Sequence, residues 1–249
     1  MINTPYRTAL VTGASGLVGQ ALVERLSAAG LIVHAVSRDR AKLDDLAART
    51  GCIVHAIDIA DTAALEALMA DREIDILVNN AGAAGARRLA DSDASAVDAA
   101  VDVNLRAVLH LVRLALPGMI ARRRGHIVSI GSIAGHYAFP GNAAYHATKA
   151  ALHLMTQQLR VDLTGTPVRV TEIVPGRIRT EMFAKTLGSS VEEAERKFFE
   201  GYAPLLPADI ADAVSYVVGA PQHVNVSHLE IVPTMQVPGG LTMTKSVEA

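Results

Sequence analysis

Tyr145 and Lys149 stand four residues apart in Tyr145-His146-Ala147-Thr148-Lys149, a spacing that places both side chains on one face of a helix. A free phenol titrates near ~10, too high for a base at neutral pH, and a neighbouring ammonium favours the phenolate and lowers that value. Tyr145 is therefore a candidate general acid/base, with Lys149 as its electrostatic partner. Ser132 follows the apolar run HIVSI. At the carboxyl end of a strand its hydroxyl would reach the ligand crevice of a doubly wound sheet. The nine histidines form neither an HExxH nor a paired spacing with carboxylates, so no metal site is expected. His136 and His146 adjoin the catalytic candidates and are read as pocket-lining, surface or supporting side chains.

A second pattern lies near the N-terminus, where Thr12-Gly13-Ala14-Ser15-Gly16-Leu17-Val18-Gly19 follows the run TALVT and leads into an amphipathic segment. Glycines there let the backbone turn sharply and approach a pyrophosphate, while the first N–H groups and the dipole of the next helix stabilise its charge. About 20 residues further on, where a dinucleotide site holds the adenosine ribose, stand Ser37-Arg38-Asp39. Arg38 would pair with a 2′-phosphate and select NADP; a register two residues later would put Asp39 on the ribose hydroxyls of NAD. NADP is the preferred reading, because Asp39 is well placed as the N-cap of a helix starting near Arg40. Asp58, with Ile59 beside it, ends the third apolar run and would meet the adenine edge, or else serve as a helix-start carboxylate.

These residues need elements to position them. Runs rich in Val and Ile at 8–12, 31–36, 53–57, 74–78, 126–130, 168–174 and 229–232 read as strands, apolar on both faces as in a parallel sheet covered by helices. Between them lie helical spacings: Leu17, Ala21, Leu22 and Leu26; Leu65, Leu68 and Met69; Ala147, Ala151, Leu154, Met155 and Leu159. Alternating β and α predicts an α/β doubly wound parallel sheet of the Rossmann type. With 249 residues and no linker or repeat, a single domain is expected over 1–249. Arg122 to Arg124 before Gly125 are read as last-turn cations of a helix. The irregular stretch 176–206 is expected to be a substrate lid and 233–249 a C-terminal tail. Arg177 and Arg179, at the mouth of the crevice, would face an anionic substrate, contact cofactor phosphates or stay solvated.

Composition narrows the partners. With 23 Lys and Arg against 25 Asp and Glu, the net charge is −2. No basic face for nucleic acid is expected. No apolar run approaches the ~18–20 residues needed to span a bilayer, so no membrane is expected. The lone Cys52 fits a reducing compartment, and the cytoplasm is the expected location.

Together, the motifs resemble the short-chain dehydrogenase/reductase family over almost the whole chain. The family's cofactor turn is similar to Thr12 to Gly19, and its structural Asn-Asn-Ala-Gly to Asn79, Asn80, Ala81 and Gly82. Its helix asparagine is similar to Asn104 in VDVNL, its active-site trio to Ser132, Tyr145 and Lys149, and its Pro-Gly and nicotinamide-amide threonine to Pro175, Gly176 and Thr180, with Ile178 between. The glycines depart from the usual TGxxxGxG, since this chain reads TGxxGxxG, a spacing more typical of epimerase-like relatives. Segments 159–176 and 223–236 resemble NADP-dependent reductases of 3-hydroxy acids and serine-like substrates and related carbonyl reductases. The resemblance implies hydride transfer between nicotinamide and a carbonyl or secondary alcohol of a small molecule. Ser132 would hold the substrate oxygen, Tyr145 would donate the proton, Lys149 would lower the Tyr145 pKa and hold the nicotinamide ribose, and Asn104 would support a water chain to Lys149. It also implies a homotetramer or homodimer, with 229–243 at a contact. A dinucleotide sensor without catalysis and an epimerase or dehydratase with a retained cofactor are the alternatives.

Overall fold

The computed structural model of the protein describes residues 4–83, 88–182, 190–237, 239 and 242–244. Among them, β1 (Thr8–Thr12), β2 (Ile32–Ser37), β3 (Ile53–Ala56), β4 (Ile76–Asn79), β5 (His126–Ile130), β6 (Arg169–Pro175) and β7 (His228–Ile231) form one sheet. Its order is β3-β2-β1-β4-β5-β6-β7 and every neighbouring pair is parallel. All the expected apolar runs become strands, with ends displaced by two residues at most. β4, β5 and β6 are buried at every position, as strands covered on both faces must be, whereas the edge strands β3 and β7 are partly exposed.

Helices cover both faces. α1 (Leu17–Ala28), α2 (Arg40–Thr50) and α8 (Pro207–Gly219) bury Leu22, Leu26, Leu43, Leu46, Ile210 and Val214 on one side. On the other, α3 (Thr62–Met69), α5 (Ala107–Ala121) and α6 (Ala143–Asp162) bury Leu65, Leu68, Leu111, Met119 and Leu152. The chain winds outward in opposite directions from β1 and β4, and between those strands the crossovers leave a crevice at their carboxyl ends.

Two features of the helices bear on the sequence reading. On α6 the fully buried face is Thr148, Lys149, Leu152 and Thr156, and Leu154 is 66% exposed. Lys149 turns inward to the crevice and Thr148 to Asn104, which rotates the buried face away from the most apolar stripe. The second concerns α4 (Ala94–Val101), a π-helical turn (Asp102–Arg106) and α5, which run on as one 28-residue helix. By length and composition that helix is long and apolar enough to cross a bilayer, although Asp98, Asp102, Arg106 and Arg113 interrupt it, so no unbroken apolar run of that length exists. Here it lays Ala107, Val108, Leu111, Val112, Ala115 and Met119 against the sheet and carries the ion pair Arg106–Asp102 at 2.8 Å.

The excursion after β6 is anchored at both ends. Ile178 and Leu205 form a parallel bridge, Arg179 N–H donates to the Leu205 carbonyl at 2.8 Å, and α7 (Val191–Phe198) lies between. The remainder of the expected lid, 183–189, lies outside the described residues. In the expected tail, Gln236 and Met243 pair as an antiparallel bridge and are both buried, so this part of the chain packs back on the domain.

Candidate active site

The floor of the crevice is built where β1 and β4 end. The Thr12 hydroxyl accepts hydrogen bonds from the backbone N–H groups of Asn80 and Ala81, both at 3.0 Å, which locks the two loops together. Gly13 has φ +67°, and a Cβ there would come within 2.8 Å of the Ala81 Cα. A Cβ on Gly19 would overlap the Gly13 carbonyl oxygen and approach the Ala14 Cα to 2.7 Å, so both positions require glycine. Gly16 differs: its φ is −79° and its nearest obstacle would be 3.5 Å away. The unusual glycine spacing thus falls at a permissive position, and the two sterically demanding glycines are kept. Gly16 caps α1 without a side-chain hydrogen bond, which leaves the first-turn N–H groups of α1 uncapped by side chains beside the crevice.

At the far rim the register of β2 resolves the Ser37-Arg38-Asp39 question. Asp39 is the N-cap of α2 and accepts from the Lys42 N–H at 3.1 Å, so its carboxylate is occupied by the helix. Ser37 Oγ lies 2.5 Å from Ser15 Oγ, and the exposed Arg38 reaches Asp58 at 3.6 Å. Asp58 accepts from the Ala60 N–H at 2.9 Å, while Asp61 is the cap of α3, so Asp58 is free to line the crevice. Lys42 lines the same rim and was not singled out in the sequence. Its position one helical turn beyond Arg38 was the signal that could have found it.

The crevice has a volume of about 930 Å³. Every residue expected to hold the cofactor lines it, from the glycine turn through Asp58, Ile59, Asn80, Ala81 and Gly82 to Pro175, Gly176, Ile178 and Thr180. Ser132, Tyr145 and Lys149 lie at its inner end, beside Phe139, His146, Met182 and Phe198. Ser132 caps the turn after β5 by accepting from the Ala134 N–H at 3.1 Å, and it is hydrogen-bonded to the Tyr145 phenol. The buried Lys149 ammonium donates to the Ile130 carbonyl at 2.8 Å and lies 5.7 Å from the centre of the Tyr145 ring.

The electrostatics differ from the simple expectation that Lys149 lowers the Tyr145 pKa. Burial raises the phenol above its ordinary value, with the Ser132 hydrogen bond opposing that shift. Burial also lowers Lys149 to about 8, against the pull of the Glu172 carboxylate. The site therefore holds Tyr145 as a neutral phenol, the proton-donating form.

Several expected participants stand elsewhere. Asn104, in the π-helical turn, accepts from the Ala83 N–H at 2.8 Å and donates to Thr148 Oγ1 at 3.2 Å. It ties the loop after β4 to α6 through Thr148, next to Lys149. Arg177 is buried, donates to the Phe198 carbonyl at 3.1 Å and faces the Phe198 and Tyr202 rings. Arg179 pairs with Glu195 at 3.2 Å and lies over Phe199. Both arginines fasten the segment after β6 to the region of α7; Arg177 is buried, Arg179 is exposed to solvent, and neither lines the crevice. His136 also turns away from it, toward Glu172.

The comparisons with known proteins agree with this geometry. The family model described as short chain dehydrogenase matches residues 7–189. An uncharacterized short-chain type dehydrogenase/reductase of Sinorhizobium fredii is 42% identical over 96% of this chain and 96% of its own. The NADP-dependent 3-hydroxy acid dehydrogenase of Salmonella typhi is 36% identical over 95% of this chain and 99% of its own. Among solved structures, the closed form of serine dehydrogenase complexed with NADP+ matches with a TM-score of 0.89 at 33% identity, covering 96% of this chain and all of that one. Carrying the family's match over most of its length and a floor, rim and hydroxyl pair arranged for nicotinamide chemistry, this enzyme is an oxidoreductase that belongs to the short-chain dehydrogenase family.

Proposed function

We propose that this enzyme uses NADP(H), in preference to NAD(H), to interconvert a small carbonyl compound and its secondary alcohol, with hydroxy acids as the substrate class to try first. The observation that carries the reading is the Ser132–Tyr145 hydroxyl pair with the buried Lys149 beside it, at the inner end of a crevice floored by a glycine turn. The residues fit the cofactor. The Gly13 and Gly19 cradle would be filled by any Cβ, Arg38 and Lys42 offer cations at the rim for a 2′-phosphate, and Asp39 is engaged as a helix cap. The hydroxy-acid class rests on the named activities of the relatives.

When bound, the nicotinamide supplies or accepts the hydride. The chain does the rest. Ser132 holds the substrate oxygen, and Tyr145 gives it a proton during reduction and takes it back during oxidation. Lys149 keeps positive charge next to the developing alkoxide and is placed to hold the nicotinamide ribose. Asn104 sets the position of α6 through Thr148. The segment 176–206 would act as a lid, with Met182 and Phe198 facing the crevice. A homo-oligomer belongs to the same reading, since Leu109 and Ile120 of α5 and Leu154 and Val161 of α6 are apolar and exposed.

The test is a panel of aldehydes, ketones and hydroxy acids with NADPH and NADH. Turnover of free NADPH with at least one carbonyl is expected; NADPH binding with no turnover on any substrate would support the sensor instead. An epimerase or dehydratase with a retained cofactor would instead show no net turnover of free NADPH.

Cofactor choice has its own expected result. A charge-assisted contact to a phosphate contributes roughly 1.5–3 kcal/mol, equivalent to about 10–100-fold in affinity. Arg38→Asp should therefore raise KM for NADPH by at least ~10-fold while leaving that for NADH within about 3-fold. Steady-state kinetics with both cofactors check it, and equal losses for the two would remove Arg38 from the phosphate contact.

A further inference from the structure

Beside the catalytic helix, outside the residues that line the crevice, four side chains from four parts of the chain converge. His136 follows the turn after β5, His153 stands one turn beyond Lys149 on α6, Glu172 is in the middle of β6, and His228 begins β7. One donor atom of each lies within 4.8 Å of all the others. Glu172 is 1% exposed and pairs in the sheet with both Ser129 and His228. The neighbouring Gly131 leaves room for it, because a Cβ there would overlap Glu172 Oε1.

Ordinary hydrogen bonding satisfies this group only in part. Glu172 Oε1 and His136 Nε2 are both shut off from solvent, face each other at 3.6 Å and have no hydrogen-bond partner. His228 Nδ1 is likewise 3.6 Å from Glu172 Oε2, and only His153 Nδ1 bonds the carboxylate, at 2.6 Å. A buried carboxylate oxygen and a buried imidazole nitrogen left unbonded are both unfavourable, since each has given up water without gaining a partner. Two ligands on a tetrahedral ion with bonds of ~2.0–2.1 Å stand about 3.3 Å apart, close to the unbonded separations here.

From this convergence of His136, His153, Glu172 and His228 we infer a binding site for one zinc-type divalent transition ion, separate from the catalytic crevice. Three imidazoles and one carboxylate exclude the hard, oxygen-seeking Mg²⁺ and Ca²⁺ and match the donor set and coordination number of zinc. Four protein donors close the site, so the ion is structural and staples α6, β6, β7 and the loop that carries Ser132. Gln157 lies 2.8 Å from His153 Nε2, and with its amide oxygen turned to that nitrogen it would accept from Nε2–H and leave the Nδ1 lone pair for the ion. His228, with 39% of its side chain exposed, marks the entry path.

The experiment uses tag-free protein, dialysed against chelator and titrated calorimetrically with zinc chloride, and with magnesium chloride as control. One zinc per chain is expected to bind with Kd below about 1 µM, with no magnesium binding and a higher Tm in zinc. Cobalt chloride should give the intense visible bands of a tetrahedral ion. His228→Gln, at the exposed edge of the sheet, should fold with an unchanged metal-free Tm, weaken zinc at least ~100-fold and abolish the tetrahedral cobalt spectrum. Glu172→Gln, of the same shape, should weaken zinc comparably. Absence of stoichiometric zinc binding to the wild type, or binding that persists unchanged in both variants, overturns the site.

Discussion

Tyr145→Phe should leave the fold and NADPH binding intact and lower turnover in both directions by at least ~10²-fold, a loss of about 2.7 kcal/mol or more in transition-state stabilisation. The substitution removes one oxygen whose hydrogen-bond partner is Ser132, and the ring remains to fill its place beside Lys149. The direction of the pH dependence follows from the raised phenol. Because burial holds the Tyr145 pKa above its ordinary value of 10.0, the proton donor is present throughout the neutral range, and reduction should not gain from rising pH. Oxidation needs the phenolate and should accelerate as pH rises toward that value. Initial rates in both directions for wild type and variant, with cofactor binding followed by NADPH fluorescence, decide the matter. Near-normal turnover in Tyr145→Phe would exclude the phenol as the proton donor.

Lys149→Met should separate activity from stability. Turnover is expected to fall at least ~10²-fold and NADPH to bind more weakly, since the charge beside the reacting oxygen and the contact to the ribose are lost together. The folded protein, however, should become more stable at neutral pH. Burial depresses the Lys149 pKa from 10.5 to about 8, so between those values the native protein binds fewer protons than the unfolded chain. Stability contributed by this group therefore rises with pH across that window and is least favourable below it. At neutral pH the unfavourable contribution is on the order of 3 kcal/mol. Leaving the Ile130 carbonyl without its donor offsets roughly 1–3 kcal/mol of the gain, so the expected rise in Tm is a few degrees. Thermal unfolding from pH 7 to pH 10 checks the sign. The wild type should close the gap to the variant as pH rises through about 8, and a variant less stable than wild type at every pH would contradict the cost assigned to the buried ammonium.

Arg177 and Arg179 show where a local reading of sequence stops. Two guanidiniums after Pro175-Gly176 offer paired donors suited to a carboxylate, and nothing in the intervening letters says which way they turn. The segment instead needs anchors to α7, and Phe198, Tyr202, Phe199 and Glu195 supply them. Asn104 was singled out in the sequence, but its hydrogen-bond partners, the Ala83 backbone and Thr148, lie 21 and 44 residues away and no local pattern announces them.

The sequence by itself determined what depends on short spacing. The apolar runs fixed the strands, because a strand buried on both faces has to be apolar throughout. The glycines fixed the turn, because Gly13 and Gly19 lie where a Cβ would strike backbone only six residues or fewer away or the adjoining β4 loop. The Tyr145 and Lys149 pair is one helical turn, and Asp39 was readable as a cap because capping spans only three residues. Tertiary structure decided what depends on separations of tens of residues. It rotated α6 so that Thr148 and Lys149, and not Leu154, face inward, and it raised the Tyr145 phenol by burial where a sequence neighbour alone argued for lowering it. It also gathered His136, His153, Glu172 and His228, which share no motif. Parallel pairing of β6 with β5 and β7 brings Glu172 beside His228 and the end of β5, and the α6 crossover lays His153 over them, so no local pattern could announce that cluster.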